Sequence, residues 1–247
     1  MTTMVKKVGL IGCGAIGTVL AEAFERKLVI CDELLVFDVD RAKAEKLKAT
    51  LKFPVKIVNN IEELLAAKPN VVVEAAGQGA VREYYTKLIS SGVELIFMST
   101  GALLDFDTSN PKVHFPAGAI GGLDAISAAA NAGIEEITLT TRKSPKAFGK
   151  QISEPTVTFE GDAEDAARQF PREMNVAATL ALTVKPIKVK VKVIADPMVK
   201  RNTHDIYVKW RFGEMNLQFA NDPHPDNPHT SALAAWAAIR LLQALLR

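Results

Sequence analysis

Only two cysteines, Cys13 and Cys31, occur in 247 residues. Neither stands at metal-ligand spacing, and two do not make a disulfide framework. Cys13 sits inside a glycine-rich turn, where a small filler is the first reading and a reactive thiol the second. An excess of charge is lacking too: 30 Lys and Arg against 28 Asp and Glu leave a formal charge of +2. With no basic stripe, helix-turn-helix or basic tail, the expectation is no nucleic-acid partner. The densest basic stretch, residues 185–192, alternates aliphatic residues with Lys from Ile187 onward. That reads as a strand with one solvated face rather than a phosphate patch. Long apolar runs are missing as well. The opening residues resemble the charged start of a signal peptide, but the run behind them, 8–11, is broken by Gly9 and Gly12 and is too short for a signal core. Nothing approaches the roughly 20 apolar residues of a membrane span. The expectation is a cytoplasmic protein with no membrane partner. Internal repeats and low-complexity tracts are also absent.

What is present is an ordinary globular balance, 48% apolar and 23% charged, enough for one large domain or two modest ones. The first half alternates strands and helices. Short apolar runs at 5–11, 33–38, 55–58, 70–76 and 93–99 read as strands. Helical spacing at 15–27, with Ile16, Val19, Leu20, Ala23 and Phe24 on one side, and further helices at 41–51, 61–67 and 80–91 lie between them. Such alternation predicts a parallel sheet covered on both faces. The pattern changes near Phe115. An Ala-rich helix follows, then longer alternating runs at 135–142, 156–160, 187–195, 204–211 and 215–219. Two helices, 163–169 and 176–182, interrupt them. This predicts a mixed sheet with one solvated face. A Pro-rich turn at 222–228 precedes a very apolar final helix, 231–246.

Gly12-Cys13-Gly14-Ala15-Ile16-Gly17 follows a strand and opens a helix, the context a GxGxxG needs to mean dinucleotide binding. Gly12 permits the tight turn, Gly14 clears the pyrophosphate and Gly17 lets helix pack on strand. The helix N-terminus offers N–H groups to the phosphates. Asp38 ends the second strand, where a carboxylate accepts from ribose hydroxyls and favours NAD. Arg41 and Lys43 follow closely and leave NADP open. Further cofactor contacts are expected from Ala75, Ala76 and Gly77 after the fourth strand, and from Ser99 and Thr100 after the fifth. The fold class is therefore α/β: an N-terminal Rossmann doubly wound parallel sheet over 1–115, and a C-terminal α+β substrate domain with a mixed sheet over 116–229. The final helix, 230–247, is expected to pack back on the first domain.

On the substrate side His204 shares strand parity with Ile206, Val208 and Trp210, so an imidazole heads an otherwise apolar face. It is either a satisfied core histidine or a general acid/base. Asp205 points away from it. Asn175 is placed as an N-cap before an Ala-rich helix, or as an amide facing a nicotinamide. Thr230 and Ser231 look like a helix start that either binds an anion or merely caps. Candidate cations for a dicarboxylate are Lys143, Lys146 and Arg172.

Several blocks, taken in order, resemble the L-aspartate dehydrogenase family over nearly the whole chain. They are the glycine fingerprint, Phe115-Pro-Ala-Gly-Ala-Ile-Gly-Gly-Leu-Asp124, Ser144-Pro-Lys146, Phe159-Glu-Gly161, Phe170-Pro-Arg-Glu-Met-Asn-Val-Ala177, Ala195-Asp-Pro197, Asn202-Thr-His204 and Asn227-Pro-His-Thr-Ser231. The resemblance implies reversible oxidation of L-aspartate to iminoaspartate, or to oxaloacetate and ammonia, with NAD or NADP. It also implies a place in NAD biosynthesis and a homodimer. It puts the catalytic histidine at His204 and the nicotinamide-side contacts at Ala119 and Asn175. At His229 several relatives are expected to carry lysine. Rival readings are a dihydrodipicolinate reductase or homoserine dehydrogenase relative, with the paired-histidine signature of the reductases absent, and a non-catalytic NAD(H) sensor. A sugar oxidoreductase would show Glu-Lys-Pro where Glu74-Ala75-Ala76 stands.

Overall fold

The computed structural model of the chain describes residues 5–149, 151–224 and 227–247, without the side chains of 227–229. It divides into two compact units. One takes in the residues up to Pro116 together with Ala235–Arg247, and the other is Ala117–Ala234.

In the first unit the chain runs β1 (Lys7–Ile11), α1 (Ala15–Glu25), β2 (Glu33–Phe37), α2 (Arg41–Thr50), β3 (Val55–Ile57), α3 (Ile61–Ala66), β4 (Val71–Glu74), α4 (Gln78–Ser91), β5 (Glu94–Phe97), α5 (Thr100–Leu103) and β6 (Val113–His114). The strands lie in the order β3-β2-β1-β4-β5-β6, all parallel. Helical crossovers cover both faces of such a sheet, so its strands carry no polar side. Val8, Leu10, Leu34, Leu35, Val36, Val72 and Ile96 are all buried, as a parallel sheet requires. The strand order reverses between β1 and β4, and ligands of doubly wound sheets bind beyond the carboxyl ends at that point.

The apolar face of α1 differs from the sequence expectation. Ile16 and Val19 are only half-buried, while Gly17, Leu20, Ala21 and Phe24 form the seam. Gly17 has no side chain, so the helix sits closest to the sheet there and turns that side inward. The short α5 and β6 carry too few residues for a period to show, and the sequence reading lacked both.

The second unit opens with α6 (Leu123–Ala132) and β7 (Ile134–Lys143), then a 3-10 turn at Pro145–Phe148. There follow β8 (Thr156–Asp162), α7 (Ala163–Gln169), α8 (Asn175–Val184), β9 (Lys190–Ala195), β10 (Asn202–Trp210), β11 (Gly213–Asn221), β12 (Pro223–His224) and β13 (Asn227–Ser231). Five strands form a mixed sheet, β11-β10-β7-β9-β8, in which only β7 and β9 run parallel. Lys188, Lys190 and Lys192 reach Glu164, Asp162 and Glu160 at 2.9, 2.7 and 3.7 Å. That is the solvated strand face the alternation indicated, although β9 itself begins at Lys190 rather than Ile187. The Pro-rich stretch is not a plain turn: β12 and β13 pair antiparallel.

The last helix, α9 (Leu233–Leu245), buries Ala235, Ala238, Ile239 and Leu242, the i, i+3, i+4, i+7 seam of an amphipathic helix. Gln243 Nε2 donates to the Leu28 carbonyl at 2.8 Å, and Lys6 Nζ donates to that of Leu246 at 2.6 Å. Among the described residues no helix is long and apolar enough to cross a membrane.

Candidate active site

The glycine turn between β1 and α1 divides its labour. Gly12 has φ +97°, and a Cβ there would stand 2.6 Å from the backbone of Ala76. A Cβ on Gly17 would stand 2.1 Å from the Gly12 carbonyl oxygen. These two glycines are demanded by the fold itself. Gly14 is exposed, and a Cβ on it would meet nothing within 4 Å. Nothing internal requires a glycine at that point, so the open space suits a ligand. No side chain caps the N-terminus of α1. Ala15 and Ile16 form its first turn, where the N–H groups and the helix dipole favour a phosphate.

Asp38, just past β2, is locked to this turn. Its Oδ2 accepts from Cys13 N at 2.8 Å and its Oδ1 from Asp40 N at 2.9 Å. Asp40 in turn caps α2 through Ala42 N at 3.1 Å. A cleft of about 310 Å³ opens beside Asp38, walled by Gly12, Val39, Ala76, Ala80 and Tyr84. Arg41 donates to Glu45 at 3.0 Å and to Asn59 at 2.7 Å, while Lys43 lies 3.8 Å from Asp40. Both cations are thus engaged within their own helix and the loop after β3. Cys13 is buried, and burial pushes its thiol up to about 12, with Asp38 adding to the shift. A thiol so disfavoured as thiolate fits the filler reading.

Sequence reasoning missed Glu74. This residue ends β4 and is fully enclosed. Its Oε1 accepts from Ala76 N at 2.9 Å, Gly77 N at 2.7 Å and Ser99 Oγ at 3.0 Å, and its Oε2 accepts from Ser99 N at 3.1 Å. One carboxylate thereby ties together the two loops expected to touch a cofactor: 75–77, and Ser99 with Thr100. Burial pushes the Glu74 carboxyl above its usual range, against the opposing pull of the four donors. The available signal was an acid closing the apolar run Val71-Val72-Val73. Glu74→Ala is expected to destabilise the first unit by about 3 kcal/mol or more, since each orphaned buried donor costs ~1–3 kcal/mol. Glu74→Gln, which keeps one acceptor, should cost less. Denaturant midpoints of the two variants check this, and equal midpoints for both and the wild type would show the loops to be held by other means.

In the second unit the polar core lies on the central strands. His204 of β10 is opposite Thr141 of β7 in the ladder, and its Nδ1 pairs with Thr141 Oγ1 at 3.1 Å. The imidazole is completely buried, and among the described residues its Nε2 has no hydrogen-bond partner. Asp205 faces the other side, where its Oδ1 accepts from Gln218 Nε2 at 2.7 Å. Lys143, two residues beyond Thr141, is 2% exposed and donates to the Glu173 carbonyl at 3.0 Å. Asn202 Nδ2 donates to Ser231 Oγ at 3.3 Å within the same buried layer. Burial pushes His204 down to about 3, helped by the charge of Lys143. Burial likewise pushes Lys143 down to about 8, with Glu173 opposing. His204 is therefore a neutral imidazole at neutral pH.

The three candidate cations are now distinguished. Lys143 is interior, whereas Lys146 and Arg172 are exposed. Lys146 borders an open depression of about 560 Å³ with Ser144, Gln151, Ser153 and Pro197. Two expectations need correction. Asn175 is the first residue of α8 and half-buried, and Met174 occupies the cap position. The backbone leaves the extended region one residue earlier than the capping preference of Asn indicated. Thr230 and Ser231 do not start a helix: they close β13, and α9 begins at Leu233. Pairing with β12 holds that stretch extended. Ala119 is buried, and its carbonyl accepts from Asn221 Nδ2 at 2.8 Å. The side chain of His229 lies outside the described residues.

The family profile described as aspartate dehydrogenase, C-terminal, matches residues 124–245. That described as homoserine dehydrogenase, NAD binding domain, matches 12–112. An L-aspartate dehydrogenase of Archaeoglobus fulgidus is 42% identical over 96% of this chain and 97% of its own length. One from Methanosarcina barkeri is 37% identical over 97% of both. The crystal structure of aspartate dehydrogenase from Thermotoga maritima superposes with a TM-score of 0.77 at 28% identity, covering 98% of this chain and 97% of that one. A myo-inositol dehydrogenase of Lactobacillus casei, 12% identical with a TM-score of 0.59 over 98% of this chain and 86% of that one, shares the fold alone. With identity of this order running from end to end, through the Rossmann unit and the mixed-sheet unit alike, the chain belongs to the L-aspartate dehydrogenase family.

Proposed function

We propose that this protein oxidises L-aspartate to iminoaspartate, reversibly, with NAD as the preferred cofactor. The observation that carries the reading is the buried His204. One of its nitrogens is fixed by Thr141, the other has no protein partner among the described residues, and the cation Lys143 lies in the same layer. A fold gains nothing from a sealed, half-satisfied imidazole, so the open Nε2 reads as a place kept for a ligand.

A nicotinamide dinucleotide, when bound, supplies the acceptor for the hydride of the substrate Cα. The residues present fit it: Gly14 leaves its side open, Ala15, Ile16 and Gly17 present a helix start, and Asp38 is held to accept from ribose hydroxyls. Loops 75–77 and 99–100 line the same end of the sheet. Ala119 and Asn175 are the contacts that the family resemblance assigns to the nicotinamide side. His204 Nε2 hydrogen-bonds the reacting nitrogen of the substrate. Lys146 and Arg172, with Thr230 and Ser231, are the candidates for the two carboxylates, and fixing both ends of a small dicarboxylate contributes several kcal/mol to the barrier reduction. Iminoaspartate, or oxaloacetate and ammonia after hydrolysis, is the product. The former is the route into NAD biosynthesis that the resemblance implies, as it implies a homodimer.

NADH consumption with oxaloacetate and ammonium, run beside NAD reduction with L-aspartate, tests the reading. Turnover in both, lost without ammonium in the first, is the expected result. Oxaloacetate reduction that ignores ammonium would instead mark a hydroxy-acid enzyme. The NAD preference has its own check. Asp38→Asn keeps an acceptor for Cys13 N while removing the charge that would face a 2′-phosphate. Like charges at close range cost several kcal/mol, so the ratio of kcat/KM for NADH over NADPH should fall by about 100-fold. An unchanged ratio would move the discrimination elsewhere.

A further inference from the structure

We infer that Lys143 is the proton acceptor for the amino group of the substrate, with His204 serving beside it as an uncharged hydrogen-bonding partner. The inference rests on the aspartate-oxidising reading above.

The geometry begins with strand parity. On β7 the side chains of Ile137, Leu139, Thr141 and Lys143 share the buried face, and the last two turn it polar. On β10 the buried face carries Val208, Ile206, His204 and Asn202. The ladder sets Thr141 against His204 and Arg142 against Thr203, so the polar ends of both strands fall at one end of the sheet. A lysine inside this layer is costly. Removing an ammonium from water costs several kcal/mol, and an apolar residue of the same length would be at least as stable. In an enzyme that oxidises an amine, a lysine held there at such a cost points to proton chemistry.

The groups around Lys143 fix its behaviour. From β10, His204 lies within range of its charge and Asn202 shares the buried face. From the segment ahead of α8 it meets Glu173, whose carbonyl accepts from Nζ at 3.0 Å. From β9, Ala195 is its register partner and Asp196 follows, its carboxylate bonded to Arg142 at 2.8 Å. Lys146, the cation on the following turn, is exposed. Glu173 is the carboxylate whose charge opposes the loss of the proton, and it does not outweigh burial. The ammonium of Lys143 thus gives up its proton near pH 8, while the imidazole of His204 stays neutral down to about pH 3. Of the two, only Lys143 changes charge where an enzyme works.

The step balances as follows. The lone pair of neutral Lys143 Nζ bonds one proton of the substrate ammonium, and the N–H electron pair stays on the substrate nitrogen. That pair becomes the C=N π bond as the Cα–H bond breaks. The hydride leaves with its electron pair to an oxidised nicotinamide, which is the oxidant. The products are the protonated imine, the reduced nicotinamide and a Lys143 ammonium. His204 Nε2 holds the nitrogen in line throughout without taking a charge.

The sign of the pH effect follows from the need for a neutral Lys143: kcat/KM for L-aspartate rises with pH and levels off above about 8. The experiment measures that profile for the wild type, Lys143→Arg and His204→Asn, with circular dichroism to confirm folding and NADH fluorescence to confirm binding. Arginine keeps the charge but cannot give up its proton. Lys143→Arg should therefore lose about 10²- to 10⁴-fold in kcat, the usual worth of a positioned base, and lose the limb near pH 8. His204→Asn should be slow yet keep the limb in place. If Lys143 merely anchored a carboxylate, Lys143→Arg would raise KM and leave kcat and the limb intact, which would overturn the inference. So would a His204→Asn enzyme without the limb, and that result decides the matter even if Lys143→Arg does not fold. A folded, NADH-binding wild type silent toward aspartate at every pH would remove the aspartate reading itself, and the inference with it.

Discussion

His204→Asn is expected to lower kcat/KM for L-aspartate by about 100-fold, the usual cost of a misplaced reacting group, with NADH affinity unchanged and the fold kept at some cost in melting temperature. The combination matters more than the loss. A core histidine kept for packing would instead show normal turnover in whatever protein survived. In the wild type Nε2 is buried without a protein partner among the described residues. An unsatisfied buried polar atom costs about 1–3 kcal/mol. Asparagine keeps a polar atom for Thr141 Oγ1 and removes Nε2, but it buries a second amide atom and leaves part of the ring's volume empty, so some stability is lost along with the activity. Calorimetry beside steady-state kinetics measures both. A variant that is destabilised yet active would return His204 to the core.

Alanine substitutions along the glycine turn are expected to part company just as widely. Gly17→Ala would place a methyl 2.1 Å from a carbonyl oxygen, far inside contact distance, and α1 must then lift off β1. Loss of the folded first unit is the outcome, and with it all NADH binding. Gly12→Ala meets backbone at 2.6 Å and needs a positive φ besides, so it should behave the same way. Gly14→Ala meets nothing. It should fold with a melting point within a degree or two of the wild type, because an exposed substitution free of clashes shifts stability by less than about 0.5 kcal/mol. Its NADH affinity should nevertheless fall by on the order of 10- to 100-fold, since the methyl points into the space a pyrophosphate needs. Melting curves with and without NADH separate the cases. A Gly14→Ala protein that binds NADH normally would take the phosphates away from this turn.

Features written locally in the sequence were legible. The apolar runs and helical periods of the first half are short-range signals, and they yield the parallel sheet. The mixed sheet of the second half followed from alternation in the same way, down to the solvated lysines of β9. The parity of His204 was equally readable, because alternation along one strand needs no partner. Features that depend on a distant residue were not. Glu74 looks like the polar end of a strand until Ser99, 25 residues on, is seen to donate to it. Lys143, Lys146 and Arg172 are equivalent as letters, and only the pairing of β7 with β10 and β9 puts one of them inside. Local preference also misled. Asn175 has the chemistry of a cap, but the chain enters α8 at Met174. Thr230 and Ser231 have it too, but β12 holds them in a strand.

The role of Glu74 bears on how this scaffold could be redesigned. Loops at the carboxyl edge of a doubly wound sheet are usually treated as interchangeable parts, swapped one at a time to alter what is bound. Here the stretches after β4 and β5 share a single carboxylate, so neither is an independent module. A graft that moved the backbone of 75–77 would take two donors from the buried Glu74 carboxylate, and one replacing 99–100 alone would take the other two. The two loops travel with Glu74 as one cassette. By contrast, the segment 38–43 makes its bonds to the glycine turn, its own helix and Asn59, and it is the part that can be rewritten for a different cofactor while the cassette stays in place.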